Sequence, residues 1–484
     1  MIAAVKTPAA RAAGWSLLAL LSACASAPRQ PPIAPIAWPD DSEAVQIEVL
    51  NRVTWGANRS SFASIRDSGS GAFLASQLRP QGEARLPAPV QTQIDALTIS
   101  QRSMADLAAE MGEKRRAFQS LPAEERKPLQ QAYQQELTRL GREAQTRMLL
   151  RALYSPQQLE EQMTWFWMNH FSVFQFKNNV RALVADYEEH AIRPNALGRF
   201  RDLLGASARH PAMLIYLDNA RNAAGHINEN YARELMELHT LGVEGGYTQH
   251  DVQELARVLT GFGVAARDDA SYRFYPRRHD WGDKHLLGYV IRGRGESELD
   301  EALDLLAHHP STARFVSRKL AVHFVGDDPP SALVERMAQS FLASDGDIAT
   351  TLATMFAAPE FRASLGGKFK DPLHYVVSAV RLAFDENPIP DAQPVLGAVG
   401  LLGEPIYARP TPDGYPLKRS DWASPGQLAS RFDVARGIAY RMPYRLWQEA
   451  VPNLGPATLE ALGKAATAQE WNLLLLSSPE FMQR

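Results

Sequence analysis

The spacing of apolar residues predicts helices along most of the chain, because such residues recur every three or four positions in segment after segment. Residues 226–261 carry the clearest pattern, a helix, a glycine-rich loop and a second helix. The second helix should begin at a capping box formed by Thr248 and Asp251 and end before Gly261. The first helix has one apolar stripe, formed by Ile227, Tyr231, Leu235, Leu238 and Leu241.

Glu234 falls inside this apolar stripe, and Asn230 and Glu237 fall on its edge, if the helix is continuous. A carboxylate facing a core is costly unless it is paired or hydrogen-bonded. Two interpretations are open. Glu234 forms a structural ion pair or capping network with a neighbouring helix, or it is held in a cleft for acid/base chemistry or cation binding. On the same wheel, Asn228 and His239 share a flank away from Glu234.

The remaining segments predict an all-α protein with one minor β-hairpin or irregular insertion. Residues 43–363 are expected to form the main helical domain, and residues 364–484 a C-terminal helical region packed on it. Within the main domain we expect a long helical hairpin at residues 92–154 and a core that carries the motifs at residues 155–265. The small insertion is expected at residues 266–293.

The N-terminus has the layout of a secretory signal, with basic residues, a short apolar run and small residues. We expect residues 1–23 to be the signal and residues 24–42, rich in proline and alanine, to be an extended tether. The Leu-Ser-Ala-Cys sequence ending at Cys24 resembles a lipoprotein box, which implies a lipid on Cys24; an ordinary signal with an incidental cysteine is the alternative. The residue after Cys24 is Ala25, and in a host with two membranes this resembles the lipoproteins that are sorted to the outer membrane.

Composition narrows the possible functions. The net charge of -3 over 484 residues does not indicate a nucleic-acid surface. Cys24 is the only cysteine, so the mature body has neither disulfides nor a catalytic thiolate. Phosphate-loop, nucleophile-elbow and His-Glu-x-x-His motifs are all missing from the sequence, and the residues identify no cofactor.

A polar loop after the motif core holds the best metal candidates by residue type. His279 and Asp280 are the proposed ligands, and Asp283 and His285 lie close by in sequence. The alternative is a polar loop whose side chains hydrogen-bond its own backbone.

Several motifs, in this order along the chain, resemble the bacterial family built on domain of unknown function 1800. They are Phe166–Phe171, His210–Leu214, Asn228–Val243, Tyr247–Val252, His279–Asp280 and Pro412–Tyr415. The resemblance covers residues 45–484. It implies a mostly helical exported protein, often encoded beside secreted sulfatase-like proteins, but it implies no activity.

We therefore hypothesise a lipid-anchored cell-envelope protein, on the periplasmic side of the outer membrane in a Gram-negative host. It would act as a hydrolase or other acid/base enzyme on an envelope or extracellular polymer. Glu234 and Glu237 would be acid/base or cation-binding groups, and Arg233 a charge partner. The remaining candidates are His239 and His170 as proton carriers, and Asn228. The alternative is a non-catalytic scaffold or assembly partner of a secreted sulfatase-like protein.

Overall fold

A computed structural model describes residues 32–82, 84–265, 270–447 and 453–484. The expected signal, the lipidation site Cys24 and most of the tether lie outside these residues. Residues Ile33–Arg484 form one compact unit, which includes both the predicted main domain and the predicted C-terminal region. The division between those two regions remains a prediction.

The first half of this unit is helical. Its α-helices are α1 (Glu43–Val53), α2 (Arg59–Ser68), α3 (Ser70–Leu78), α4 (Ala88–Asp95), α5 (Thr98–Gln101), α6 (Met104–Gln119), α7 (Ala123–Tyr154), α8 (Gln158–His170), α9 (Val184–Asp186), α10 (Phe200–Arg209), α11 (Pro211–Tyr216), α12 (Asn230–Glu237) and α13 (Gln249–Val258). A π-helix follows α9 at Tyr187–Ile192, and short 3-10 turns lie at Val180–Ala182, Arg193–Asn195 and Asn219–Arg221.

Two small antiparallel strand pairs separate this half from the rest, with β1 (Phe262–Val264) paired to β2 (Tyr272–Phe274) and β3 (Lys284–Leu286) paired to β4 (Tyr289–Ile291). A 3-10 turn, Pro276–Arg278, lies between them. Helices then resume as α14 (Ser297–Ala307), α15 (Pro310–Phe324), α16 (Ser331–Ala343), α17 (Ile348–Ala357), α18 (Pro359–Ala363), α19 (Pro372–Phe384), α20 (Gln393–Leu401), α21 (Arg419–Trp422), α22 (Pro425–Ala439), α23 (Pro456–Gly463) and α24 (Ala468–Leu476). The predicted all-α class with a minor β insertion is confirmed.

The helical hairpin differs in detail from the prediction. Two short helices, α4 and α5, precede the longer pair α6 and α7, and the break falls at residues 120–122 as expected. Phe118 and Tyr133 meet edge to face across this pair, with ring centroids 5.5 Å apart. The hairpin packs through a small apolar cluster of its own.

One large apolar core includes buried residues of the motif-bearing segments, among them the aromatic residues Trp165, Phe166 and Trp167 of α8. Trp167 is fully buried, and its indole N–H donates to the backbone oxygen of Ala196 at 2.9 Å. This bond fixes α8, so the polar residues at its C-terminal end have defined positions. Within the described ranges, no helix combines the length and apolar character needed to cross a membrane.

Candidate functional site

The first helix of the motif is shorter than its sequence pattern predicts. Helix α12 has eight residues and buries Tyr231, Ala232, Leu235 and Met236. Ile227 precedes it and is 40% exposed, so the predicted apolar stripe does not extend to this residue. The predicted shared flank of Asn228 and His239 is wrong, because both residues lie outside the helix.

Asn228 organises the start of α12. Its side-chain oxygen accepts a hydrogen bond from the backbone N–H of Asn230 at 3.0 Å, and its own N–H donates to the side chain of Asn222 at 2.9 Å. These bonds hold the chain where it enters the helix. They support a structural role for Asn228.

Glu234 and Glu237 are partly buried at the edge of α12. Neither carboxylate forms a hydrogen bond or an ion pair with any residue in the described parts of the chain. Burial raises the pKa of Glu234, the neighbouring Glu237 raises it further, and Arg233 acts in the opposite direction. Arg233 itself pairs with Glu229 at 3.1 Å. The structural ion pair considered for Glu234 is therefore not formed.

His170 and His239 lie behind this edge and are almost completely buried. Nε2 of His170 lies 3.0 Å from the backbone oxygen of His239, and Nδ1 lies 2.9 Å from Nζ of Lys319. Because an ammonium group can only donate, Nδ1 accepts and Nε2 donates. His170 is thus held as one neutral tautomer.

Burial lowers the pKa of both histidines, that of His239 to about 3, and the charge of Lys319 lowers both further. Neither ring nitrogen of His239 has a hydrogen-bond partner among the described residues. Histidines that stay neutral at physiological pH are poorly suited to carry protons. These pKa shifts weigh against the proton-carrier role expected for both histidines, which stays a prediction, and the hydrogen bond places His170 beside Lys319.

Lys319, on α15, is the residue that sequence reasoning missed. Its partly buried ammonium donates to His170 and has no carboxylate within 4.0 Å in the described ranges. Burial lowers its pKa to about 8, and Asp413 acts in the opposite direction. The signal in the sequence is weak: Lys319 lies beside buried Leu320 and three residues after buried Val316, as many surface lysines do.

Asn169 holds the loop that carries Asp413. Its side-chain oxygen accepts from the backbone N–H of Tyr415 at 2.6 Å, and its side-chain nitrogen donates to the backbone oxygen of Tyr415 at 2.9 Å. Gly414 has φ +75°, and a Cβ there would lie 2.2 Å from the backbone oxygen of Asn169. Only glycine allows this approach, so the loop and the end of α8 are fixed together.

Asp413 acts electrostatically on both Glu234 of α12 and the amine of Lys319 on α15. It accepts from Arg409 at 2.9 Å and from Thr411 at 2.5 Å, and these bonds outweigh burial and keep its pKa below the usual value. Its charge favours the charged form of Lys319 and raises the pKa of Glu234. Glu234 thus interacts electrostatically with Glu237 and Asp413, and Asp413 with Lys319, and we call these four residues the cleft cluster: Glu234, Glu237, Lys319 and Asp413.

Tyr216 borders the cleft cluster. Its hydroxyl donates to the backbone oxygen of Pro410 at 2.9 Å. Burial raises the pKa of Tyr216, and the charges of Glu234 and Asp413 raise it further. This phenol therefore stays protonated, as a hydrogen-bond donor, beside the carboxylates.

The other predicted site, at His279, has a different character. Nδ1 of His279 lies 2.8 Å from the backbone oxygen of Thr260, and Nε2 lies 3.0 Å from a carboxylate oxygen of Glu298. The second oxygen of Glu298 pairs with Lys284 at 2.5 Å. The side chains of His279, Lys284 and Glu298 are completely buried. Both ring nitrogens of His279 are thus occupied by protein partners.

Asp280 pairs with Arg257 through both carboxylate oxygens, at 2.8 and 3.2 Å. Asp283 pairs with Arg292, and His285 is exposed. No group of three or more His, Cys, Asp or Glu side chains suited to a metal ion is found in the described ranges. These contacts favour a structural role for His279 and Asp280 rather than the proposed metal ligation.

Residues 48–483 match the sequence model of a protein family described as protein of unknown function (DUF1800). The match spans nearly the whole chain and includes all four residues of the cleft cluster. Neither a curated protein nor a solved structure matches the chain.

Proposed function

We propose, for a chain that belongs to the DUF1800 family of proteins of unknown function, an acid/base enzyme whose reaction takes place at the cleft cluster. The reaction is hydrolysis, and the substrate is a polymer of the cell envelope or the extracellular space. The observation that carries this proposal is the absence, among the described residues, of any hydrogen bond or ion pair to Glu234 and Glu237 and of any carboxylate paired with Lys319. Partly buried charges without partners are typical of sites that act on a ligand.

The groups of the cleft cluster suit the two halves of a hydrolysis. A carboxyl whose pKa is raised, as that of Glu234 is, keeps its proton to a higher pH than an ordinary glutamate and can exchange it with water or a leaving group. The ammonium of Lys319 can stabilise negative charge that develops on the attacked group. Asp413 stays ionised and favours the charged form of Lys319.

His170 serves as a positioning residue. Its fixed tautomer accepts from Lys319 and directs the ammonium, while the main chain at His239 holds the ring from the other side. Asn169, the preceding residue, holds Asp413 through the loop at Tyr415. Adjacent residues at the end of α8 therefore align both the cation and its anionic neighbour.

The substitution Glu234→Gln tests the catalytic role. Purified wild type and variant are incubated with isolated peptidoglycan, lipopolysaccharide and a panel of chromogenic esters and glycosides, and product release is followed. We expect kcat to fall by about 10²-fold or more, the usual contribution of a general acid or base. The melting temperature should change little, because no ion pair is broken.

The matched control is Glu229→Gln, just before α12, which removes a carboxylate already paired with Arg233. Its activity should match that of the wild type. A fully active Glu234→Gln protein, or an equal loss in both variants, would contradict the assignment. If the wild type releases no product and instead retains a secreted sulfatase-like protein from the envelope, the scaffold alternative gains support.

Lys319 provides a test that needs no substrate. The rate of its acetylation by a small anhydride, followed by peptide mass spectrometry, should be half-maximal near pH 8. Exposed Lys464 in the same sample is the internal control. Equal profiles for the two lysines would remove Lys319 from the proposal.

We place this activity at a membrane surface, with the chain anchored by lipid on Cys24. Growth with radiolabelled palmitate should label the wild type, and Cys24→Ala should abolish the label and release the protein from membranes. Labelled Cys24→Ala protein would contradict this anchor. The result bears on location alone, since Cys24 is remote in sequence from the cleft cluster.

A further inference from the structure

An apolar cavity of about 500 Å³ lies among α19, α20 and α22, on elements that do not contribute to the cleft cluster. This volume is in the range of small-molecule sites. Its walls are built almost entirely of aliphatic side chains, among them Val376, Val380, Ile389, Val395, Val434 and Ile438. An interior of this kind suits a hydrocarbon ligand.

Gly437 keeps one wall of the cavity open. It lies within α22, where glycine is less favourable than any residue except proline. A Cβ at this position would meet no atom within 4 Å, so neither packing nor backbone conformation requires glycine. Gly437 is exposed, so glycine here leaves open space at the mouth of the cavity.

The rim carries one acid and one base. Arg441 is exposed and forms no ion pair or side-chain hydrogen bond with a described residue. Asp391, also on the rim, accepts a hydrogen bond from the backbone N–H of Gln393 at 2.9 Å. The acid thus helps to start α20, whereas the cation is available to a ligand.

We propose that this cavity binds the alkyl chain of a free long-chain fatty carboxylate, with its carboxylate at Arg441. Each methylene that leaves water for the aliphatic walls adds to the affinity. The guanidinium of Arg441 supplies a charge-assisted hydrogen bond at the entrance. A peptide ligand would bring backbone N–H and C=O groups into the cavity, and its aliphatic walls offer these groups no hydrogen-bond partners.

The test is titration of the purified full chain with cis-parinaric acid, a fatty carboxylate that fluoresces when its chain leaves water. Gly437→Leu places an isobutyl group in the mouth of the cavity and should weaken binding by at least about tenfold. Gly397→Leu is the matched control, because it adds the same side chain to α20, where a Cβ also meets no atom within 4 Å. It should bind as the wild type does, and circular dichroism melts confirm that both variants fold.

The head group is tested separately. Arg441→Gln should weaken binding of the carboxylate by roughly three- to tenfold and leave binding of the alcohol with the same chain unchanged. Asp391→Asn should not weaken either ligand. Failure of the wild type to bind, equal binding by Gly437→Leu, or a preference for phosphatidylglycerol vesicles over the free acid would overturn the proposal.

Discussion

Two groups of charged side chains in this protein are built from the same residue types and differ in their partners. Glu298 is completely buried; Lys284 and the backbone N–H of Gly295, the latter at 2.7 Å, donate to it, and Nε2 of His279 lies 3.0 Å from it. Glu234, at the edge of α12, has no such donor among the described residues. The protein thus supplies donors for the buried carboxylate of Glu298. It leaves the carboxylate of Glu234 available to a donor from outside the chain.

Of the substitutions that test this contrast, Lys284→Met should change the free energy of unfolding most. It leaves Glu298 buried with a charge that lacks its main partner, and the free energy of unfolding should fall by about 3–5 kcal/mol. Urea denaturation followed by circular dichroism measures this loss. Lys464→Met, which breaks an exposed pair with Glu460, should change little. A Lys284→Met protein as stable as the wild type would show that the buried group does not hold the fold.

Gly414→Ala should have the next largest effect. It tests whether the contact of Asn169 with Gly414 and Tyr415, which we call the clamp, aligns the cleft cluster. The added Cβ would collide with Asn169, and φ of +75° is unfavourable for alanine. We expect a cost of about 1–3 kcal/mol, with loss of activity and movement of Asp413. Gly225→Ala, which has a similar positive φ but open surroundings, is the control. Equal activity in the two variants would contradict the clamp.

Glu234→Gln should change stability least. A carboxyl whose pKa is raised on folding destabilises the protein as pH rises from the unfolded-state pKa through the folded-state value. The variant should lose this dependence and gain less than about 1 kcal/mol at neutral pH. Melting temperatures measured from pH 4 to pH 8 test the sign. A loss of several kcal/mol would place Glu234 with the paired carboxylates instead.

Local sequence signals predicted the fold class well. The Thr248/Asp251 capping box is present in the structure because the signal and its effect lie within three residues. The all-α class followed from apolar spacing repeated over many segments. Recognition of the family was secure for a similar reason, since its longest motif is contiguous.

The orientation of α12 could not be predicted in this way, because the wheel assumed a continuous helix over residues 227–241. The helix ends early. The hydroxyl of Thr240 donates a hydrogen bond to the backbone oxygen of Leu235 at 2.7 Å, and Gly242 has a left-handed conformation with φ +80°. These competing contacts are not visible in a periodicity.

The partners of the candidate site were also beyond the sequence. Lys319 and His170 are 149 residues apart, and their contact depends on the packing of α15 against α8. The sequence marks Lys319 only as one cation on an amphipathic helix. Its pKa and its missing counter-ion are properties of the assembled core.

The clamp between Asn169 and Tyr415 joins residues 246 positions apart. During synthesis, a chain that has emerged only as far as α15 holds Glu234 and Lys319 without the loop that brings Asp413 to them. Closing a loop over such a distance costs more chain entropy than a local contact does. The order of residues along the chain therefore delays this site: the cleft cluster can be completed only after the chain has been made as far as Tyr415.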